Sequence, residues 1–474
     1  MRKPLFGAIA GAALAVAVVV GSTGIAQAAN VDTSRISQTI TGVGSDTLYE
    51  VQSDLDELYN EAVGCAIIPS PNPGGFVNYQ QTCFNPNDTT GTVPGDPGLL
   101  PYGGNIVVKG NLYHDRAVEA YPVGSGSGTK VLSQFTSGNP AVSSDFARAS
   151  SKQTYAVIGF QQYGVAYGRD GAGYWVGRNN KLVAHTKAGV PTPNATLPRL
   201  KGAFIGTGSG KCLINWSKSK GNSIGTKQGN PGAGTIDIFA TQAGSGSGKD
   251  FLQKIDPANA ATYTDASALQ NCVPAKYKDG NPNNGEHVLV ENQARPICSQ
   301  KGGKKSFQST ALFPYAFLRF VQNRAGTGTC AGLLGSVNGI KPTIASMTRV
   351  SGPKAYPMGS YRYDYFLLPN PLPSAACTGR DGSPVAAGVN LNNQNTWTVS
   401  CGLTARQVAT LDYLAPNKGF LCRTDSVVNP LTGRNYRTEI AAKLKADGIA
   451  PLPKGAIGGS SFTGASYCRD AAAT

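Results

Sequence analysis

An α/β fold with largely parallel sheets is what this sequence predicts, and three observations carry the prediction. Strand-like and helix-like patterns alternate along the chain. A strand, a glycine turn and a helix follow one another in that order three times, at Gly44, Gly124 and Gly244. The charge is divided by region: between Arg169 and Lys354 there are 23 Lys and Arg against 8 Asp and Glu, a balance of +15, while the rest of the chain holds 19 of each. A middle region carrying the whole net charge predicts a separate lobe that attracts anions.

The chain opens on a leader pattern. Basic "MRKP" precedes an apolar run from Leu5 to Val20 and an Ala-x-Ala end at Ala28. The expectation is a signal peptide, residues 1–28, cleaved near Ala28, and an exported, soluble mature chain. No cysteine stands at the cleavage point, so no lipid anchor is expected.

"ISQTITGVGSDTLYEVQSDLDELYNEAVG" reads as strand, glycine turn and helix. Leu48, Val51, Leu55, Leu58 and Tyr59 share one helical face, and Thr47 with Glu50 has capping-box spacing. Asp54 and Asp56 fall on the polar side, as solvated charges. Cys65 to Gly104 is rich in Pro, Gly and Asn and reads as an irregular insertion stapled by Cys65 and Cys83. "NIVVKG" is strand material, and "YPVGSGSGTKVLSQF" turns through glycine into a helix.

In the basic region, "GVAYGRDGAGYWVG" reads as paired strand segments around a turn, and "LPRLKGAFIG" as a short helix. "GTIDIFATQAGSGSGKDFLQKI" repeats the strand, turn and helix order. "TALFPYAFLRFVQN" reads as a helix. Near the end, "SYRYDYFLLPN" is a Tyr-rich strand, and "LTARQVATLDYL" and "RTEIAAKLKADGI" are helices.

Ten cysteines all lie in the exported part: Cys65, Cys83, Cys212, Cys272, Cys298, Cys330, Cys377, Cys401, Cys422 and Cys468. An oxidising compartment makes disulfides the expectation, and pairing of neighbours in order would close modest loops. There is no C-x-x-C, and His114, His185 and His287 lie far apart, so neither a metal nor a cofactor is expected.

A helix start presents unpaired N–H groups and the positive end of the helix dipole. Glycine lets a ligand approach the backbone, and Ser or Thr hydroxyls add hydrogen bonds. Such a turn holds a phosphate-like anion without formal positive charge. Ser, Thr and Asp cap ordinary helices too, so the weight lies on three turns together, spread over the neutral and basic regions. Two lobes could aim their helix starts at one ligand. Enzymatic readings fare worse. "AGSGSGKD" approaches a nucleotide P-loop, but Ala243 replaces its first glycine and Asp250 its magnesium-binding hydroxyl. "GNSIG" matches G-x-S-x-G without an apolar strand before it. No catalytic activity is expected.

The order of these motifs resembles the phosphate-binding proteins of bacterial ABC uptake systems. "GVGSDTLYEV" is similar to that family's first turn and helix, "YPVGSGSGTKVLSQF" to its second, and "AVSSDFARASS" to the segment that follows. "LKGAFIGTGSGKCLINWS", "TQAGSGSGKDFL" and "YPMGSYRYDYFLLPN" resemble parts of its second lobe and the returning strand. The resemblance implies a two-lobed periplasmic-binding-protein-like fold (type II), each lobe a mainly parallel sheet flanked by helices, with disulfide-stapled insertions. Lobe 1 would comprise residues 29–167 and 357–474, and the basic lobe 2 residues 168–356.

It also implies a ligand site: Ser45, Asp46 and Thr47 at the first turn, Ser125, Gly126 and Ser127 at the second, and Gln242, Ser245, Gly246 and Ser247 at the third. Ser150 stands where the family often has an aspartate, and Thr241 where it often has an arginine. Asp46 is then the candidate replacement acceptor, and Arg148 or Lys249 the replacement cation. The partners implied are phosphate or a similar oxyanion and an ABC transporter permease, for a secreted monomer that binds no nucleic acid. The missing anchor and altered positions leave an alternative, a cell-wall adhesion protein held by anionic wall polymer.

Overall fold

A computed structural model describes residues 39–62, 65–71, 77–83, 107–109, 125–136, 144–151, 156–177, 193–215, 236–278, 286–299, 301–302, 305–415, 419–422, 428–429, 432–452 and 466–467. The leader, Cys468 and the Asp46 and Ser127 side chains lie outside the described residues. Among the described residues no helix is long and apolar enough to cross a membrane.

The chain is mixed α/β. Seven strands make the main path of its ten-stranded sheet: β1 (Thr39–Gly44), β2 (Val107–Lys109), β3 (Phe146–Ala149), β4 (Phe160–Gly177), β5 (Asp237–Ile238), β6 (Ala311–Ala316) and β7 (Gly359–Pro369). Their spatial order is β2-β1-β3-β7-β4-β6-β5. Pairing is parallel at both ends of that order, where β1 joins β2 and β3, and β6 joins β5. In the centre, β7 and β4 run antiparallel to each other and to their outer neighbours β3 and β6.

Helices cover both faces of the first half. Leu48 with α1 (Tyr49–Ala62), α4 (Ala405–Leu414) and α5 (Tyr436–Ala446) bury Val51, Leu55, Tyr59, Leu411 and Ile440 against Phe146, Val165 and Phe366. On the opposite face, Leu132 of α2 (Ser125–Thr136) packs on Ala147, Ala166 and Tyr365. The five apolar residues expected on one face of the first helix are all at most 4% exposed, each contributing about 1.5–3 kcal/mol of burial. Two further clusters draw on residues 172–358 with Ala450, the larger around Phe204, Phe251 and Leu312 and the other around Trp175, Phe239 and Phe313. Phe251 belongs to α3 (Gly246–Ile255).

Several local expectations are corrected. β4 is one 18-residue strand, with no turn inside it. Its glycines answer to close neighbours: a Cβ at Gly168 would meet Ile449 at 2.4 Å, and one at Gly171 would meet Met347 at 2.7 Å. The stretch read as one helix at 310–323 begins as the fully buried strand β6 and becomes helical only at Phe317–Gln322. At the start of α1, Glu50 pairs with Arg319 at 3.1 Å. Asp56 is buried, accepting hydrogen bonds from Gln52 and Tyr413, because α4 covers that side of α1 as well. Within the insertion, Cys65–Pro71 and Val77–Cys83 form a hairpin with Cys65 opposite Cys83. Neighbouring cysteines are bonded as Cys212–Cys272, Cys298–Cys330 and Cys377–Cys401, and Cys422 is also oxidised.

Candidate functional site

The three glycine turns meet. β1 ends at Gly44, whose φ of 122° lies in the region that favours glycine. A Cβ at Gly128, in the first turn of α2, would stand 2.4 Å from the Gly44 Cα, so the first and second turns pack glycine on glycine. A Cβ at Gly246 would stand 2.9 Å from Ser125 Oγ, bringing the start of α3 onto the start of α2. The first and third turns are joined by a side chain that sequence reasoning missed, Glu291.

The Glu291 carboxylate, 5% exposed, sits between the first and third turns. Its Oε1 accepts from Thr47 Oγ at 2.9 Å. Its Oε2 accepts from the Ser247 N–H at 3.1 Å, from Ser247 Oγ at 2.8 Å, and from Ser245 Oγ. Ser245 is also the N-cap of α3, accepting from the Gly248 N–H at 2.8 Å. Neutral hydroxyls and a helix-start amide therefore hold a buried negative charge, as the dipole and the unpaired N–H groups favour.

Asn292, buried and with φ 58°, fixes the turn that delivers Glu291. Its Oδ1 accepts from the Ala316 N–H at 2.7 Å, and its Nδ2 donates to Thr47 Oγ and Ser247 Oγ at 3.2 Å each. The turn follows the short strand Val288–Leu289, which pairs in parallel with Ala240–Thr241. The carboxyl end of a parallel strand is where α/β proteins place ligand-binding residues, the one signal that could have found Glu291. Unlike the three turns, it carries no glycine or serine run.

Around this seat the other expected residues take distinct places. Ser45 Oγ and Ser150 Oγ are hydrogen-bonded at 2.6 Å, and the Ser150 N–H donates to Ser125 Oγ at 2.8 Å. Gly126 is exposed. Gln242 donates its N–H to the Leu289 carbonyl at 2.9 Å. Arg148 is buried and turns its guanidinium to the carbonyls of Gly42 at 3.1 Å and Ser45 at 3.4 Å, behind the first turn. Lys249 is half-buried on α3, near enough to Asp265 to act on its charge. Thr241 is buried beneath Gly248, whose Cβ would lie 2.1 Å from Thr241 Oγ.

A second missed group, Arg362 of β7, is fully buried behind the serines. Its Nη1 donates to the Ser150 carbonyl, to Ser360 Oγ at 2.7 Å and to Asp250 at 3.3 Å; its Nη2 donates to Asp170 at 2.8 Å. Burial alone would lower the Arg362 pKa, but the carboxylates of Asp170 and Asp250 reverse this and raise it, so the guanidinium stays charged. It joins the second-turn region, through Ser150, to α3, through Asp250.

No protein-family model matches the chain, and no curated protein matches it in sequence. Among solved structures, it is similar to an ABC-type phosphate transport receptor from Vibrio cholerae, at 14% identity and a TM-score of 0.36 over 69% of this chain and 86% of that one. It is similar to a putative phosphate ABC transporter substrate-binding protein with bound phosphate from Clostridium perfringens, at 11% identity and a TM-score of 0.40 over 88% and 100%. A phosphate binding protein from Stenotrophomonas maltophilia gives 11% identity and a TM-score of 0.39 over 88% and 91%. The chemistry of this site rests on its own residues.

Proposed function

We propose that the chain is a secreted solute-binding protein that captures a small oxyanion, inorganic phosphate, between two lobes and performs no chemistry on it. The lobes are residues 29–167 with 357–474, and residues 168–356. The observation that carries this reading is the seat itself: three glycine turns from distant parts of the sequence pack together, and the first and third of them hold one negative group, Glu291, through Thr47, Ser245 and Ser247. An oxyanion placed there would accept from the same hydroxyls and the same α3 amide. The net charge of the middle region would raise the capture rate, and contacts to both lobes would favour closure. Asp46 is the acceptor assigned to the proton of phosphate, which sulfate lacks near neutral pH.

The test is calorimetric titration of the mature chain after unfolding, dialysis and refolding, with phosphate and with sulfate as control. The expected result is saturable phosphate binding near one per chain, with sulfate ignored. Ser245→Ala removes a donor to a charged ligand, which is worth about 1.5–3 kcal/mol, roughly a ten- to hundredfold loss of affinity. Folded protein that binds neither anion would sink the reading.

A further inference from the structure

We propose that Glu291 is an internal anion: a carboxylate that occupies the oxyanion seat in the ligand-free chain and must be displaced for the ligand to bind. This rests on the oxyanion reading above and adds the regulation of that site. The argument is one of competition for donors. Thr47 Oγ, Ser245 Oγ, Ser247 Oγ and the Ser247 N–H are the groups at the meeting of the first and third turns, and all four already donate to Glu291. A hydroxyl has one proton to give, so an oxyanion bonded to those hydroxyls takes each proton from the carboxylate.

Charge adds to the competition. A carboxylate left beside a bound dianion in a buried site repels it, so occupancy by both is disfavoured. The same contacts hold the site together in the absence of ligand, because Thr47 follows β1 whereas Ser245 and Ser247 open α3. Glu291 thus supplies the cross-link that a ligand supplies in a closed binding protein. Its means of leaving is local. Glu291 sits in a two-residue turn directly after Val290, which is 50% exposed, so moving it does not require taking apart a buried strand.

The experiment compares the full mature chain with Glu291→Gln, both stripped of ligand by unfolding and refolding. Phosphate and sulfate are titrated calorimetrically, and amide hydrogen exchange is followed at Ser247. Glu291→Gln keeps the shape and removes the charge, so phosphate affinity should rise roughly tenfold or more, with sulfate still excluded. Without ligand, the Ser247 amide should exchange faster in the variant than in the wild type, and phosphate should restore its protection. Phosphate binding that is unchanged or weaker in Glu291→Gln would overturn the internal-anion role while leaving the oxyanion reading intact. Weaker phosphate binding with sulfate admitted would instead make Glu291 the acceptor for the ligand's proton. Absence of binding of either anion in both folded proteins would overturn the oxyanion reading and this inference with it. A Ser247 amide equally protected in both ligand-free proteins would likewise overturn the proposed occupancy.

Discussion

At the C-terminal end of α5, the Asp447 carboxyl is partly buried and faces the charges of Asp54 and Glu50, with Lys443 only partly offsetting them. Burial, then the like charges, push its pKa from 3.8 up to about 7. The folded state therefore holds this proton more tightly than the unfolded chain does. Its contribution to stability is fully present below the unfolded value and is lost as pH rises through the folded one. Asp447→Asn should remove that slope: melting temperatures of the two proteins should diverge in favour of the variant between about pH 4 and about pH 8. A constant difference across that range would assign the slope to other groups. At the site, Gly128→Ala would drive a methyl into the Gly44 backbone, 2.4 Å from its Cα. Overpacking of this kind costs about 1–3 kcal/mol, readable as a lower urea midpoint, and it should weaken phosphate binding by separating two turns. Both glycines were legible as turn residues. Their packing on each other was not, because it joins positions 84 residues apart.

The elements that hold the site are β4, β7 and α3, tied by Arg362. Asp170 comes from β4, Asp250 from α3, and Arg362 itself from β7, which pairs along β4 through a register shift between Arg362 and Tyr363. Breaking a buried ion pair by removing one partner leaves uncompensated charge, so Arg362→Met should cost about 3–5 kcal/mol in denaturant unfolding. Adding Asp170→Asn and Asp250→Asn to that variant should recover part of the loss; a triple variant no more stable than Arg362→Met would place the cost in packing instead. The Tyr-rich pattern predicted β7, but not the role of its charged residue Arg362, whose partners arrive from two other elements. The expectation of a turn inside β4 failed for a related reason. Glycine marks both turns and close approaches, and only the packed neighbours Ile449 and Met347 distinguish the two here.

At the scale of the whole molecule, the proposed ligand should couple to stability. A ligand bound only by the folded chain stabilises it by about 2.7 kcal/mol at a hundredfold excess over Kd, so phosphate should raise the melting temperature and sulfate should not. If Glu291 already cross-links the seat, the wild type should gain less from a given phosphate concentration than Glu291→Gln does. Equal gains would contradict displacement.

Short-range chemistry determined much of this protein from sequence alone. The three glycine turns, the apolar face of the first helix and the α/β alternation all depend on residues close together in the chain, where spacing and residue type set local geometry; the cysteine count predicted disulfides, but their pairing across 24 to 60 residues was decided by the fold. The tertiary structure decided which turns touch, and what they hold. Glu291 stands in the sequence with no glycine or serine run beside it; it becomes the centre of the site because Thr47 after β1 and Ser245 and Ser247 at the start of α3 surround its carboxylate with donors. Arg148 and Arg362 show the same division: sequence placed Arg148 near the expected site, and packing turned it to the β1 carbonyls while setting Arg362, which sequence reasoning missed, between the carboxylates of Asp170 and Asp250.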